Sequence, residues 1–383
     1  DARLKFIPSI KKPEGPMGFK DKLKWTGMIM TVYFLLFSIP AYGVNMVTIS
    51  SGLFQLMSVV CAARIGSLIT VGIGPIVLAS ILLQLLMGAG LIKLDTNDME
   101  QKGRFQSIQK LTAIIIAIVE AVIFTSTGYV PILNNSLFWI VAAQLAFGAI
   151  VVIFLDEMMT KYGLTSGINL FIAGGVAYSI IAGTISILFP EAASAIASGG
   201  AGAIPNAIMA FGPLFFAIIV FLISIYVYDM KVELPLVFSQ FRGVGGRLPI
   251  PLLYVSVLPV ILATSFELSL DVWFRFLAGV GGSLANLAKF IALYTPSSTG
   301  APQLSGGLLY LISPSFPLPY AAQYGGIGSY ATYFTYLATF KTQLYLPWGG
   351  FVFVPEWVHV IVYTVVLILL CIVFGKFWIE MTG

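Results

Sequence analysis

Eight stretches of this chain run for about 17 to 25 residues with almost no charge, the length a helix needs to cross the hydrocarbon core of a bilayer. They fall at 25–42, 68–92, 111–127, 137–155, 166–189, 207–228, 250–266 and 357–378. The apolar runs are continuous and do not alternate as barrel strands would, so helices are expected. Of 383 residues, 58% are hydrophobic and 9% charged, well outside the roughly half apolar and one-quarter charged makeup of soluble domains. The expected fold is an all-α polytopic membrane protein.

One region is broken in two. A half-length apolar piece, 50–64, is joined through Gly72, Gly74 and Pro75 to a charge-free run at 76–92. About 15 residues at 1.5 Å each reach only some 22 Å, so the short piece can enter a bilayer but not cross it. Backbone that leaves the helix at membrane depth is tolerated only where protein covers it or a watery cavity receives it. A pore or binding cavity is the expected consequence.

Eight crossings put both ends on one side. Seven basic residues, Arg3, Lys5, Lys11, Lys12, Lys20, Lys22 and Lys24, precede the first span and place the N-terminus in the cytoplasm. Threading from there leaves only Arg64, Arg275, Lys289 and Lys341 outside, so the topology is self-consistent. The net charge of +4 then reflects orientation and attraction to anionic lipid, and no nucleic-acid substrate is expected. Residues 1–24, with Leu4, Phe6, Ile7 and Phe19 among the lysines and three prolines, are expected along the inner membrane surface. The chain starts at Asp1 without a cleavable signal pattern, so the first span is expected to drive insertion. Cys61 and Cys371 are expected to be free thiols.

The cytoplasmic connections 93–110, 156–165 and 229–249 are polar. The last holds Arg242 and Arg247 in RGVGGR, which reads as an exposed loop tip and lacks the Lys-Ser/Thr of a phosphate loop. The external segment 268–356 is rich in Gly, Ser, Tyr and Pro, and a connection of that length usually carries structure or function. Asn134-Asn135-Ser136 is a glycosylation sequon on an outer turn.

Several ordered motifs carry a family resemblance: RIGSLITVGIGPIVLASILLQLL at 64–86, LKWTG at 23–27, FQSIQKL at 105–111, IVEAVIF at 118–124, FLDEMMTKYGLTSGINLFIAGGV at 154–176, PVILA at 259–263 and FGKFWIEMTG at 374–383. With them the chain resembles the SecY family, the channel subunit of the protein-conducting translocon, and most of all its archaeal members. The resemblance implies a SecY-like helical bundle of two pseudo-symmetric halves: here 25–189, holding spans one to five and a plug at 50–66, and 205–383, holding spans six to eight and the 268–356 loop. Family members have ten spans, and the ninth and tenth are expected to be absent here.

The same resemblance implies roles. Ile73 and Val77 from GIGPIV, Ile168 and Ile172 from GINLFI, and Ile261 from PVIL match a pore ring of bulky aliphatic side chains. The residues agree independently, since Ile73/Val77 and Ile168/Ile172 are each spaced i, i+4 and share a helix face. Ser50, Leu53, Leu56, Cys61 and Arg64 belong to the piece matching the plug. Gln84 and Glu120 match positions at a lateral gate between spans two and three on one side and seven and eight on the other. Glu120 is also the one carboxylate deep inside an expected span, where charge is expensive enough to suggest function. Arg242 and Arg247 are expected to dock a cytoplasmic partner.

The function so implied is passive translocation of unfolded polypeptides across the plasma membrane, and insertion of hydrophobic segments into it. The implied partners are SecE-type and beta-type small subunits, a ribosome or other motor, signal sequences, nascent chains and lipid. No cofactor, metal or catalytic residue is expected. An ion-coupled transporter also uses broken helices, but it needs polar ligands where the breaks meet, and here isoleucines stand there. A protease reading has no HExxH and no aspartate pair within spans, and its sole histidine, His359, is expected as an interfacial hydrogen-bonded residue.

Overall fold

The computed structural model describes residues 10, 11, 13, 15, 17–45, 62–88, 91, 99–199, 203–236, 246–251, 258–280, 289–295, 303–313, 337–345 and 351–382. These form two compact units: Asp1–Ala177 with Val260–Gly383, and Tyr178–Pro259.

In the first unit, α1 (Phe19–Ser38) begins six residues earlier than its apolar run, with Lys20 and Lys24 exposed and Lys22 half-buried in its first turns. It buries Thr26, Ile29, Tyr33 and Phe37, one helical stripe, and Pro40 prevents its continuation. Next come α2 (Gly74–Gly88), α3 (Met99–Ser126) and α4 (Phe138–Tyr162). A short 3-10 turn, Asn135–Leu137, opens α4, and the Asn134 side chain of the sequon accepts from the Ser136 amide at 3.3 Å. α5 (Gly167–Gly183) starts in this unit.

The second unit continues from α5 into a π-helical turn, Thr184–Leu188, and then α6 (Phe189–Ala197). Pro190 explains the widened turn: it has no N–H to offer the carbonyl four residues back, and its ring crowds that carbonyl. α7 (Ala203–Ala210) and α8 (Gly212–Asp229) follow, parted at Phe211 before Pro213, with Phe211 edge-on to Phe189 at 5.4 Å. β1 (Lys231–Leu236) and β2 (Gly246–Pro251) pair antiparallel and flank 237–245. Arg247 stands opposite Pro235 in that ladder, and Arg242 lies outside the described residues.

α9 (Leu258–Val280) corrects the seventh expected span. Residues 250 and 251 are strand, and the helix continues past Phe266 to Val280, so the external connection begins later than 268. The extension carries charge because Asp271 and Arg275, four apart on one face, pair at 3.0 Å. The connection after α9 then forms a four-stranded sheet from β3 (Leu293–Thr295), β4 (Gln303–Gly306), β5 (Lys341–Tyr345) and β6 (Phe351–Pro355). A short helix, α10 (Leu308–Ile312), lies between β4 and β5, and α11 (Glu356–Thr382) closes the chain. The helical class holds, and the two small sheets are additions in the connections.

Among the described residues five helical stretches are long and apolar enough to cross a membrane: Gly103–Ser126, Asn135–Tyr162, Gly167–Ala197, Gly212–Asp229 and Glu356–Lys376. The other expected spans are also helical in part. α1 has a charged first turn, α2 has 15 residues because the chain is still turning before Gly74, and α9 carries Glu267, Asp271 and Arg275.

Candidate functional site

The break foreseen before α2 is a largely buried turn, residues 62–73, and several of its backbone groups find partners inside the protein. The Leu68 amide donates to the Ile39 carbonyl at 3.1 Å, and the Ala41 amide donates to the Gly66 carbonyl at 2.8 Å, tying the turn to the end of α1. Within it, Gly66 N donates to Thr70 Oγ1 (3.0 Å), Thr70 Oγ1 to the Ser67 carbonyl (2.6 Å), and Ser67 Oγ to the Arg64 carbonyl (2.6 Å). The Tyr33 hydroxyl donates to the Ala62 carbonyl. Gly66 and Gly72 take φ of +87° and +60°, the left-handed region glycine enters without strain. Cover by protein and internal bonding are what irregular backbone inside a membrane requires.

α4 packs against the turn, and Gly148 makes this possible. A Cβ there would sit 1.8 Å from the Leu68 carbonyl oxygen. Sequence reading had not singled out Gly148, since a close approach becomes visible only when both segments are placed.

The turn delivers Ile73 and Val77 to the start of α2. Both are fully buried, and the Val77 amide donates to the Ile73 carbonyl at 3.2 Å, which puts the two on one face. Ile168 and Ile172 are half-buried and pack against the same apolar cluster from α5. Between them Phe171 is fully buried and stacks on Tyr33, centroids 4.5 Å apart and planes 12° apart. The start of α5 is held by Asp156 on α4, whose Oδ1 accepts from the Ile168 amide at 2.9 Å. This satisfies one of the amides that a helix N-terminus leaves open. Ile261 on α9 is half-buried beside Leu262 and Ala263, which join the cluster.

Of the residues matched to the plug, Arg64 is exposed at the head of the turn, and Ser50, Leu53, Leu56 and Cys61 lie outside the described residues. Gln84 is buried on α2, and its Oε1 has no hydrogen-bond partner among the described residues. Glu120 is buried on α3 with its carboxylate facing Gly74, the first residue of α2. A helix N-terminus favours a carboxyl group there.

Two polar groups were missed. Glu267, treated as lying outside the spans, sits within α9 at 3% exposure, and neither carboxylate oxygen has a hydrogen-bond partner among the described residues. Glu120 is therefore not the one deep carboxylate. The second is a buried cluster around Arg275, whose guanidinium lies 4.7 Å from the Tyr129 ring centroid and 4.8 Å from that of Tyr294. The Tyr294 hydroxyl donates to Asp271 Oδ1 at 2.9 Å, and burial, then the Asp271 charge, pushes its phenol up, so it stays a neutral donor.

His359 is buried at 3% exposure and not at the surface as expected. Its Nδ1 lies 2.8 Å from Glu356 Oε1 and its Nε2 3.0 Å from the Ser313 carbonyl. Cys371 is a half-buried free thiol.

Comparison with known proteins then decides the family. The SecY family model matches residues 67–383. The chain belongs to the SecY family. It is 35% identical over 385 residues to the protein translocase subunit SecY of Methanocaldococcus jannaschii, covering 99% of this chain and 76% of that protein. Among solved structures it resembles one described as the structure of a protein conducting channel, with TM-score 0.76 and 34% identity over 100% of this chain and 77% of that one. It also resembles Sec61 in the canine ribosome-channel complex from the endoplasmic reticulum, with TM-score 0.74 and 34% identity over the same shares of the two chains. The SecY fold thus accounts for the buried turn and the helices that cover it.

Proposed function

We propose that this chain is the wall of a passive protein-conducting channel, lined at its waist by Ile73, Val77, Ile168, Ile172 and Ile261. One observation carries the reading: in a SecY-family chain, a buried, internally bonded non-helical turn ends on two buried aliphatic residues, with Ile168 and Ile172 packed against the same cluster. A constriction of such side chains excludes water and ions by dewetting, yet yields to a threaded chain. It needs no catalytic group or cofactor.

In this reading residues 50–66 are a plug beneath the waist, and the halves 25–189 and 205–383 open sideways between α2/α3 and α9/α11, with Gln84 and Glu120 on the first wall. The gate sorts by free energy alone. Twenty residues gaining about 0.3 to 0.6 kcal/mol each favour lipid by roughly 6 to 12 kcal/mol, whereas one central charge costs about 2.5 to 3.5 kcal/mol. The N-terminus faces the cytoplasm of a cell membrane, a ribosome or other motor supplies the drive at Arg242 and Arg247, and SecE-type and beta-type subunits complete the complex.

The test is ion conductance of the reconstituted complex. Ile73→Ser with Ile168→Ser should raise resting leak several-fold by wetting the waist. Unchanged conductance in a folded, inserted double variant would remove these residues from the seal.

A further inference from the structure

We propose that Tyr129 and Arg275 form an outer latch between α3 and α9, and that this contact helps set how hydrophobic a segment must be before the two helices part. The proposal rests on the gate reading above, in which α3 belongs to one wall and α9 to the other.

Each side of the latch is fixed to its own wall. Tyr129 stands three residues beyond α3, is 2% exposed, and meets Phe124 of α3 edge-on, centroids 5.2 Å apart and planes 83° apart. Arg275 of α9 is 6% exposed, pairs with Asp271 one turn back at 3.0 Å, and has the Tyr294 ring on one side. Tyr294 is itself fixed by its hydroxyl, which donates to the Asp271 carbonyl and to Oδ1, both at 2.9 Å. The guanidinium is thus held by groups of the α9 side, and the Tyr129 ring reaches it from the α3 side at 4.7 Å.

A buried guanidinium gains more from an aromatic face than an exposed one does. Moving α3 away from α9 strips that face from the cation, and the segment entering the gate must supply the difference. Strongly apolar segments have free energy to spare, and marginal ones do not. The latch therefore acts on the marginal class alone.

The experiment uses the full chain with its partner subunits in liposomes, and a test protein carrying segments of about 20 residues with graded leucine content, scored for integration by protease protection. Tyr129→Leu should raise integration of the marginal segments by about 3- to 30-fold, the span expected for loss of one buried cation–π contact. Strongly apolar segments should not change. Tyr129→Phe keeps the ring and should match wild type; a rise as large as that of Tyr129→Leu would refute the ring contact. If Tyr129→Leu fails to fold, Arg275→Gln removes the cation from the other wall and should lower the threshold in the same direction. A folded Tyr129→Leu or Arg275→Gln channel with the wild-type threshold overturns the latch. A photo-crosslinker at Gln84 separates the two readings: signal adducts with an unchanged threshold sink the latch alone, and their absence from active wild-type channel sinks the gate and the latch together.

Discussion

Gly148→Ala should be among the most damaging single-methyl additions available in this chain. The new Cβ would lie 1.8 Å from the Leu68 carbonyl oxygen and 2.6 Å from its carbon, and these are backbone atoms that no rotamer change can remove. A tolerable carbon–oxygen contact is about 3.3 Å, so α4 and the turn must separate by about 1.5 Å. The Leu68 amide now sits 3.1 Å from the Ile39 carbonyl, and a shift of that size takes the pair beyond hydrogen-bond range. Leaving buried backbone groups unmatched costs about 1 to 3 kcal/mol, and overpacking itself costs about 1 to 3 kcal/mol. The expected loss is therefore about 2 to 6 kcal/mol, with a seal made leaky by displacement of Ile73. Thermal unfolding in nanodiscs should show a midpoint several degrees lower, and conductance should rise with it. A Gly148→Ala protein with the wild-type midpoint would refute the claim that this approach is tight.

Asp156→Ala removes the acceptor for the Ile168 amide and should cost about 0.5 to 2 kcal/mol in thermal stability, while Asp156→Asn keeps Oδ1 and recovers most of it. Glu267→Met should be neutral or stabilising by about 1 to 3 kcal/mol, because it replaces a buried carboxylate that has no hydrogen-bond partner among the described residues. A lower unfolding midpoint in Glu267→Met would mean the carboxylate is engaged.

The helices and the broken element were legible because hydrophobic length and glycine spacing are local properties. Ile73 and Val77 could be paired from their spacing alone, and they do share a face. What escaped was whatever depends on two distant segments meeting. The reading ended the seventh span before Glu267 because hydropathy falls there, yet α9 runs on, since Asp271 and Arg275 neutralise each other and Tyr294 and Tyr129 enclose the guanidinium. α1 runs from Phe19 to Ser38 where the apolar stretch is 25–42, because lysines count against apolarity although their stems can lie along a helix while the ammonium reaches water, and because Pro40 cuts the helix short of Tyr42. In the four-stranded sheet Gly306 of β4 meets Gln343 of β5 in parallel register across a long separation, which no local pattern encodes. Gly148 looked like any helical glycine until Leu68 was placed against it.

The turn at 62–73 has a mechanical consequence. Its amides are committed to Ile39, Arg64, Ser67, Ile69 and Thr70, so bending its middle would break several bonds at once, whereas rotation at either margin breaks few. The freer margin is Gly72 beside Ile73, where glycine takes φ +60° without strain and a single amide bond, to Ile69, is at stake. Opening such a channel resembles swinging a door on a pin set in a rigid jamb. Amide exchange at Gly66, Ser67, Leu68 and Thr70 should accordingly stay slow while a polypeptide is passing through.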